Sequence, residues 1–91
     1  MSAEADATWL DGNAIAGLLG EVFGAEMTGV DRGCGSCGQH NAVGAHRLYR
    51  SAGAVLRCPA CGDIALQIAV LDGRHVVQMR GSWTLDTGRA V

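Results

Sequence analysis

Cys34-Gly-Ser-Cys37 and Cys58-Pro-Ala-Cys61 contain all the cysteines of this 91-residue chain, and twenty residues separate the two pairs. In a Cys-x-x-Cys loop two thiolates lie on one side of a tight turn. Two facing loops supply the four sulfurs that Zn²⁺ binds at about 2.3 Å. The spacing is within the range of four-cysteine zinc sites. We therefore expect Cys34, Cys37, Cys58 and Cys61 to bind one Zn²⁺ per chain.

Disulfides and redox thiols fit the same cysteines less well. Disulfide frameworks are typical of small secreted domains, whereas residues 1–8 are acidic and lack the basic start and apolar run of a signal peptide. A thioredoxin-like motif uses one Cys-x-x-Cys in a βαβ setting, whereas this chain has two, with strand-like sequence between and after them. The pattern therefore predicts reduced thiols and a cytoplasmic protein.

Iron is the competing metal. The two loops also resemble those of rubredoxin, in which four thiolates hold a single redox-active iron, and tetrahedral four-sulfur coordination does not choose between the metals. Rubredoxins usually surround the iron with aromatic residues, whereas this chain has two tryptophans, one tyrosine and one phenylalanine in total. We favour zinc and keep iron as the alternative.

Length and charge predict a single domain over residues 1–91 with two differently charged parts. A chain of this length buries only a modest core, so a bound metal is a plausible source of stability. Residues 1–31 carry six carboxylates and no basic residue, whereas residues 32–80 carry six arginines and two aspartates. We assign residues 1–31 to an acidic segment, 32–86 to a four-cysteine zinc ribbon and 87–91 to a frayed tail. No apolar stretch approaches the length of a membrane span.

Five apolar residues at helical spacing predict an amphipathic helix over residues 12–23. Asp11 is placed to cap its start, and Gly24 is placed to end it in a left-handed conformation. Because such a stripe must cover an apolar surface, we expect the helix to pack on the domain's own sheet. The stripe consists of Ile15, Leu18, Leu19, Val22 and Phe23.

The surface for this helix is predicted in the second half of the chain. Residues 64–71 and 74–81 flank Asp72-Gly73, which indicates a hairpin with a two-residue type I′ turn. That turn places Ile68 opposite Val77, and it gathers the apolar residues on one face. We expect the helix to lie on the face formed by Ile64, Leu66, Ile68, Val77 and Met79. Arg74, Arg80, Gln67 and Gln78 are assigned to the opposite face. Shorter strands are expected over residues 45–50, 54–57 and 82–86.

The predicted fold class is therefore α+β, a small metal-stapled domain. It is a zinc ribbon of antiparallel β-sheet with two Cys-x-x-Cys knuckles and one N-terminal amphipathic helix packed on the sheet. The chain resembles a family of small, uncharacterised actinobacterial zinc-ribbon proteins with an N-terminal helix. The matching stretches are LDGNAIAGLLGEVFGAEM at residues 10–27, the first cysteine loop at 34–37, and VLRCPAC at 55–61. The resemblance implies a stand-alone zinc ribbon with no established activity, and an oxidoreductase as its partner.

The sequence favours a binding function over catalysis. No spacing of histidine, serine or carboxylate residues suggests a catalytic site, His40 is expected to face solvent, and four cysteine ligands leave no open position on zinc. The favoured function is a protein-interaction module or accessory subunit that docks on a larger partner. A rubredoxin-like electron carrier is the first alternative and a nucleic-acid-binding zinc ribbon the second. Net charge −2, a pI near 5.8 and few aromatic residues argue against nucleic acid. The candidate partner-binding residues are Arg74, Arg80, Arg47, Arg50 and Trp83, and the oligomeric state is left open.

Overall fold

The structure is a computed structural model that describes residues 9–50 and 53–86. Within these residues it is a small α+β protein with one short α-helix and two antiparallel sheets. Helix α1 spans Ala16–Phe23, and single 3₁₀ turns span Gly12–Ile15 and Val43–Ala45. The strands are β1 Trp9–Asp11, β2 Asp31–Gly33, β3 His40–Ala42, β4 Arg47–Arg50, β5 Ala54–Arg57, β6 Ile64–Leu71, β7 Arg74–Met79 and β8 Ser82–Thr84.

The larger sheet has the strand order β1-β4-β5-β6-β7. Its pairings place five apolar side chains in one row across the sheet, because directly opposed residues point to the same face. Three members of the row, Leu48, Leu56 and Leu66, are completely buried. The row runs Leu10, Leu48, Leu56, Leu66, Met79. We call this side of the larger sheet the core face and the other side the open face.

The helical segment covers the core face, as its apolar stripe predicts. The segment begins as the 3₁₀ turn, with the Asp11 carboxylate accepting a hydrogen bond from the backbone N–H of Asn13 at 3.0 Å, and continues as α1. It ends at Gly24, whose φ of 71° is left-handed. Ile15 and Leu19 are buried in the same cluster as the leucines of β4, β5 and β6. Asp11 and Gly24 bound the segment and the segment packs on the core, as predicted, but the α-helix itself begins four residues later than predicted, at Ala16, because residues 12–15 form the 3₁₀ turn that Asp11 caps.

A close backbone contact fixes where this segment lies. The 3₁₀ turn that begins at Gly12 contacts the 3₁₀ turn Val43–Ala45, which directly precedes β4. A Cβ atom on Gly12 would overlap the carbonyl oxygen of Val43, and one on Gly44 would overlap the side chain of Asn13. At Gly12 the overlap is with backbone, which cannot move aside as a side chain can, so glycine at this position permits the close approach of the two turns.

The β6–β7 hairpin has the predicted turn and register. Asp72 and Gly73 have φ values of 53° and 73°, as a type I′ turn requires, and Ile68 pairs with Val77. The prediction that the helix covers the whole apolar face of this hairpin is wrong at the sheet edge, because Met79 is 40% exposed. The buried cluster is centred on β4, β5 and β6, and β7 lies at the edge of the larger sheet.

The smaller sheet has the strand order β3-β2-β8, with three residues in each strand. The final strand is shorter than the predicted 82–86, and it pairs with β2 rather than extending the larger sheet. The predicted tail at 87–91 lies outside the described residues. Among the described residues, no helix has the length and apolar character that crossing a membrane demands.

Candidate metal centre

The two cysteine loops are turns of nearly identical backbone geometry. In the first, the N–H of Cys34 donates to the carbonyl of Gln39 at 2.9 Å, and the N–H of Gly38 donates back to the carbonyl of Cys34 at 3.0 Å. The second loop repeats both bonds: the N–H of Cys58 donates to the carbonyl of Asp63 at 2.8 Å, and the N–H of Gly62 donates to the carbonyl of Cys58 at 2.9 Å. The glycine after each pair has a φ near 80°, 78° at Gly38 and 81° at Gly62, which explains the glycine at this position.

The loops lie on different sheets and face each other. Residues 34–39 connect β2 to β3 in the smaller sheet, whereas residues 58–63 connect β5 to β6 in the larger one. The four Sγ atoms lie within 4.8 Å of one another. Across the two loops, Cys34 Sγ is 3.6 Å from Cys61 Sγ, and Cys37 Sγ is 3.8 Å from Cys58 Sγ.

These distances match a sulfur tetrahedron around one metal ion. A metal bound to four sulfurs at about 2.3 Å has sulfur–sulfur edges of about 3.8 Å. A disulfide would instead bring two sulfurs to about 2.0 Å, and all four cysteines are free thiols. The four cysteines are therefore positioned to hold a metal ion. Both zinc and iron satisfy the same four-sulfur geometry, so the distances do not identify the metal.

Backbone donors in each loop stabilise the charged form of the sulfur. The N–H of Ser36 donates to Cys34 Sγ, and the N–H of Ala60 donates to Cys58 Sγ, each at 3.4 Å. The N–H groups of Cys37 and Ser36 lower the pKa of the Cys34 thiol to about 6. Such N–H···S bonds favour thiolate, which is the form that binds metal.

The pKa of Cys61 is shifted in the opposite direction. The backbone N–H of Asp63 lowers the pKa of Cys61, but burial and the three neighbouring cysteines outweigh it and raise the pKa to about 12. Four negative sulfurs so close together repel one another, and not all of them ionise without a positive charge among them. A divalent cation removes that repulsion and converts all four to ligands.

The centre has a buried side and an exposed side. The first cysteine of each loop, Cys34 or Cys58, is buried, whereas the second, Cys37 or Cys61, is exposed. On the loops, the Ser36 hydroxyl donates to the carboxylate of Asp63 and lowers its pKa. This bond joins the two loops directly beside the sulfurs.

Comparison with known proteins places the chain in a family. A family model described as a family of unknown function, DUF6510, matches residues 4–90. The chain belongs to that family. No curated protein and no solved structure matches the chain. The description of the family names no activity.

In this DUF6510 member, the arginines proposed for partner binding are dispersed rather than gathered in one patch. Arg74 lies at the start of β7, beside the hairpin turn, and Arg80 directly follows the same strand; both are exposed. The Arg47 guanidinium lies over the ring of Trp9 on the open face, at 5.0 Å from the ring centre. Arg50 is on the core face and donates to the carbonyl of Ala14 at 3.1 Å, so part of its side chain holds the helical segment.

Trp83 lies beside the core. It is half-buried against the hydrophobic cluster, and its indole N–H donates to the carbonyl of Arg80 at 2.9 Å. Packing and this hydrogen bond explain the position of the Trp83 side chain, and only its exposed part is open to contact by a partner. His40 is exposed, as expected, and its Nδ1 is hydrogen-bonded to the carboxylate of Asp31 at 2.7 Å, so it lies outside the sulfur cluster.

A buried polar pair, which no motif of the sequence predicts, lies next to the first loop. Arg32 and His46 are each 1% exposed, and Arg32 Nη1 lies 3.3 Å from His46 Nε2. His46 Nδ1 donates to the carbonyl of Ala42 at 2.9 Å, so Nε2 is the acceptor and the ring is neutral. Burial, and after it the neighbouring Arg32 charge, lower the pKa of His46. Arg32 Nε donates to the carbonyl of Arg80 at 2.9 Å and so ties β2 to the end of β7.

Proposed function

We propose that this protein is a zinc-stapled interaction module that docks on a larger protein partner and performs no catalysis of its own. The observation that carries the proposal is the closed set of four sulfurs, with edges of 3.6 and 3.8 Å between the loops. Four cysteine ligands complete the tetrahedron of Zn²⁺, so the metal would have no position for substrate or activated water. The family resemblance to zinc ribbons supports the same interpretation.

The metal would serve to join the two sheets. Each loop belongs to a different sheet, and the smaller sheet consists of three-residue strands that are too short to be stable alone. A structural zinc site contributes about 10 to 16 kcal/mol to the folded state of small domains, which is comparable to the stability of a whole domain. Its role would be to keep the binding surfaces of both sheets in a fixed relation.

The open face of the larger sheet has the charge expected of a surface for an acidic protein. Arg47 and Arg57 oppose each other there, and neither they nor Arg74 forms an ion pair with a carboxylate of the described residues. The acidic helix covers the other face, so Glu21 lies across the sheet from these arginines. Asp11 lies opposite Arg47 on this face, and its carboxylate accepts a hydrogen bond from the backbone N–H of Asn13. A partner that supplies carboxylates would neutralise the remaining positive charge.

Nucleic acid is a weaker candidate for the same face. Guanidinium groups already lie over the rings of both aromatic residues on this face, Arg47 over Trp9 and Arg57 over Tyr49, at 5.0 and 5.7 Å. Bases need such ring faces for stacking. The open face therefore offers guanidinium charge without a free stacking platform, which suits carboxylates better than bases.

The proposal is tested with tagged protein recovered from its own source. Wild-type protein should retain a stoichiometric protein partner, and the double variant Arg74→Ala/Arg80→Ala should retain it at least about tenfold less, with an unchanged melting temperature. Glu21→Ala, on the acidic helix, is the matched control and should behave as wild type. Retention of DNA or RNA instead, with a steep loss as salt rises, would show phosphate neutralisation and contradict the proposal.

Iron electron transfer is the second candidate, favoured by the exposure of Cys37 and Cys61, which brings the metal site close to the surface. A d¹⁰ zinc centre is colourless, whereas iron in four thiolates absorbs visible light. Protein purified from its own source should contain about one zinc per chain and show no visible band. A red protein with one iron per chain would promote the electron carrier and remove the zinc assignment.

A further inference from the structure

We infer that β7 is the site at which the partner binds, and that the partner contributes an extended acidic segment that pairs along β7 as an additional strand. The inference rests on the proposed function and specifies its surface and partner chemistry. Three features carry it: the unprotected edge of β7, the apolar side chains around it, and the arginine at each of its ends.

The first feature is the free edge. β7 is an edge strand of six residues, whereas the other edge strands of the described sheets, β1, β3 and β8, have three residues each. Long edges in natural proteins are usually blocked by proline, lysine, a bulge or a covering element, because they pair with other chains. β7 contains no proline or lysine, and its pairing with β6 is regular from Leu71 to Leu66.

The outward backbone groups can be assigned residue by residue. The N–H of Arg80 donates to the carbonyl of Ala65 at 2.9 Å, toward the sheet. Groups alternate in an antiparallel pair, so Val76 and Gln78 also bond toward β6. His75, Val77 and Met79 therefore direct their N–H and C=O groups away from the sheet, where an added strand would bind them.

The second feature is apolar exposure around this edge. Four of the seven exposed large apolar side chains of the described residues lie on the β6–β7 hairpin: Val70, Leu71, Val76 and Met79, at 59%, 52%, 37% and 40%. On the open face, Val76 also borders a shallow groove of about 330 Å³ over β5, β6 and β7. An added strand would cover part of this apolar surface and could place one side chain in the groove.

The third feature is charge, and it selects the occupant. Arg74 and Arg80 enclose the free edge and are six residues apart, which is about 20 Å along a strand. A second copy that used all three outward residues would pair Val77 with itself. That register sets Arg74 of each copy opposite Arg80 of the other, and like charges directly opposite destabilise a sheet. A segment with carboxylates at both ends of an apolar centre meets both arginines favourably.

The experiment uses the metal-loaded full chain, labelled with ¹⁵N, and a capped nine-residue peptide of alternating valine and threonine with two glutamates placed six positions apart. With about 90% of the protein bound, exchange at the amides of His75, Val77 and Met79 should slow about tenfold, since only the free fraction exchanges. The amides of Val76 and Gln78 should not change, because they already bond to β6. The same peptide with lysines for glutamates should not slow exchange.

Two variants test the edge and the charges separately. His75→Pro removes an outward N–H without removing a bond to β6, and it should abolish peptide binding. Arg74→Glu/Arg80→Glu keeps the backbone intact, and it should bind the lysine peptide in preference to the glutamate peptide. The charge-reversed pair keeps the test decisive if the proline variant fails to fold.

Several results would overturn the inference. They are equal slowing with both peptides, slowing that includes Val76 and Gln78, and protein-concentration-dependent protection of His75 without peptide, which would identify a second copy as the occupant. Displacement of the peptide by an oligonucleotide would likewise reassign the edge to nucleic acid. If His75→Pro retains the natural partner as well as wild type does, β7 is not the binding site but the interaction module stands. If wild type retains no partner, the proposed function itself fails.

Discussion

Removal of the metal is expected to unfold the chain as a whole rather than the two loops alone. The second loop, residues 58–63, is the connection between β5 and β6, the strands that hold Leu56 and Leu66 at the centre of the core. Loss of that loop's geometry therefore releases the central strand pair. A metal held by the four cysteines would also link the smaller sheet to the larger one, so both sheets would depend on the same four bonds.

The magnitude follows from the chain length that the metal closes. Twenty residues lie between Cys37 and Cys58, and a cross-link over a loop of that length stabilises by about 3 kcal/mol through chain entropy alone. With the metal–sulfur bonds included, structural zinc sites reach about 10 to 16 kcal/mol. Domains of this size have total stabilities of about 5 to 15 kcal/mol. The metal-free chain is thus expected to be unfolded at 25 °C.

The assay is a chelator titration followed by metal analysis and by ¹H–¹⁵N NMR of the β6 amides. Chemical-shift dispersion of Leu66 and Ile68 should collapse in step with metal loss, and addition of zinc should restore it. Chelator already saturated with zinc is the control and should change nothing. Metal-free protein that keeps the dispersed β6 amides would refute this reasoning, since the core would then be stable without the staple.

Three further predictions concern the core, a close contact and pH. Leu56→Ala should lower the free energy of unfolding by about 2 to 5 kcal/mol, because Leu56 is completely buried. Met79→Ala, in the same row but 40% exposed, should lower it by less than about 1 kcal/mol. Urea titration measures both losses, and equal losses would contradict the placement of the core. Gly12→Ala should destabilise the protein by about 1 to 3 kcal/mol, because the added Cβ meets a backbone oxygen. Gly17→Ala, whose added Cβ has no atom within 4 Å, should stabilise the protein by up to about 1 kcal/mol. Melting temperatures that shift in the same direction for both variants would contradict this prediction. The pKa of His46 is lowered in the folded state, so its contribution to stability is present above the unfolded pKa of about 6.5 and is lost as pH falls through the folded pKa. Stability between pH 7.5 and 5.5 should therefore fall more steeply in wild type than in His46→Gln, and parallel curves would show that His46 does not titrate in this way.

Local chemistry explains what could be predicted from the sequence. The Asp72-Gly73 turn fixes the register of the hairpin, because both residues take positive φ in a type I′ turn. Asp11 and Gly24 lie at the two ends of the helical segment as predicted, because their roles as caps depend only on their immediate neighbours, whereas the 3₁₀ form of residues 12–15 has no signal in the apolar spacing. The four cysteines lie together in the structure as their spacing predicts, and the metal they bind stays a prediction.

Tertiary context explains the features that could not be predicted from the sequence. A three-residue strand is too short to show an alternating pattern, so β1, β2, β3 and their pairings gave no signal. The burial of Arg32 and His46 could not be predicted either, because an isolated arginine between Asp31 and Gly33 is typical of an exposed loop. Met79 was misplaced because alternation identifies the face of a residue but not whether its strand is central or at the edge.

Both sheets are closed by strands that lie far apart in the chain. Trp9 pairs with Tyr49, and Gly33 pairs with Ser82. During synthesis neither pair forms until the later strand emerges from the ribosome, whereas β4 to β7 follow one another and can pair in order. The first cysteine pair likewise lacks its partners until Cys61 is synthesised. At about 5 to 20 residues per second, synthesis of the chain from Cys37 to Cys61 takes on the order of 1 to 5 seconds. For that interval the nascent chain exposes two of the four thiols without the other two. The yield of metal-loaded protein therefore depends on how reducing the surroundings are while translation is still in progress.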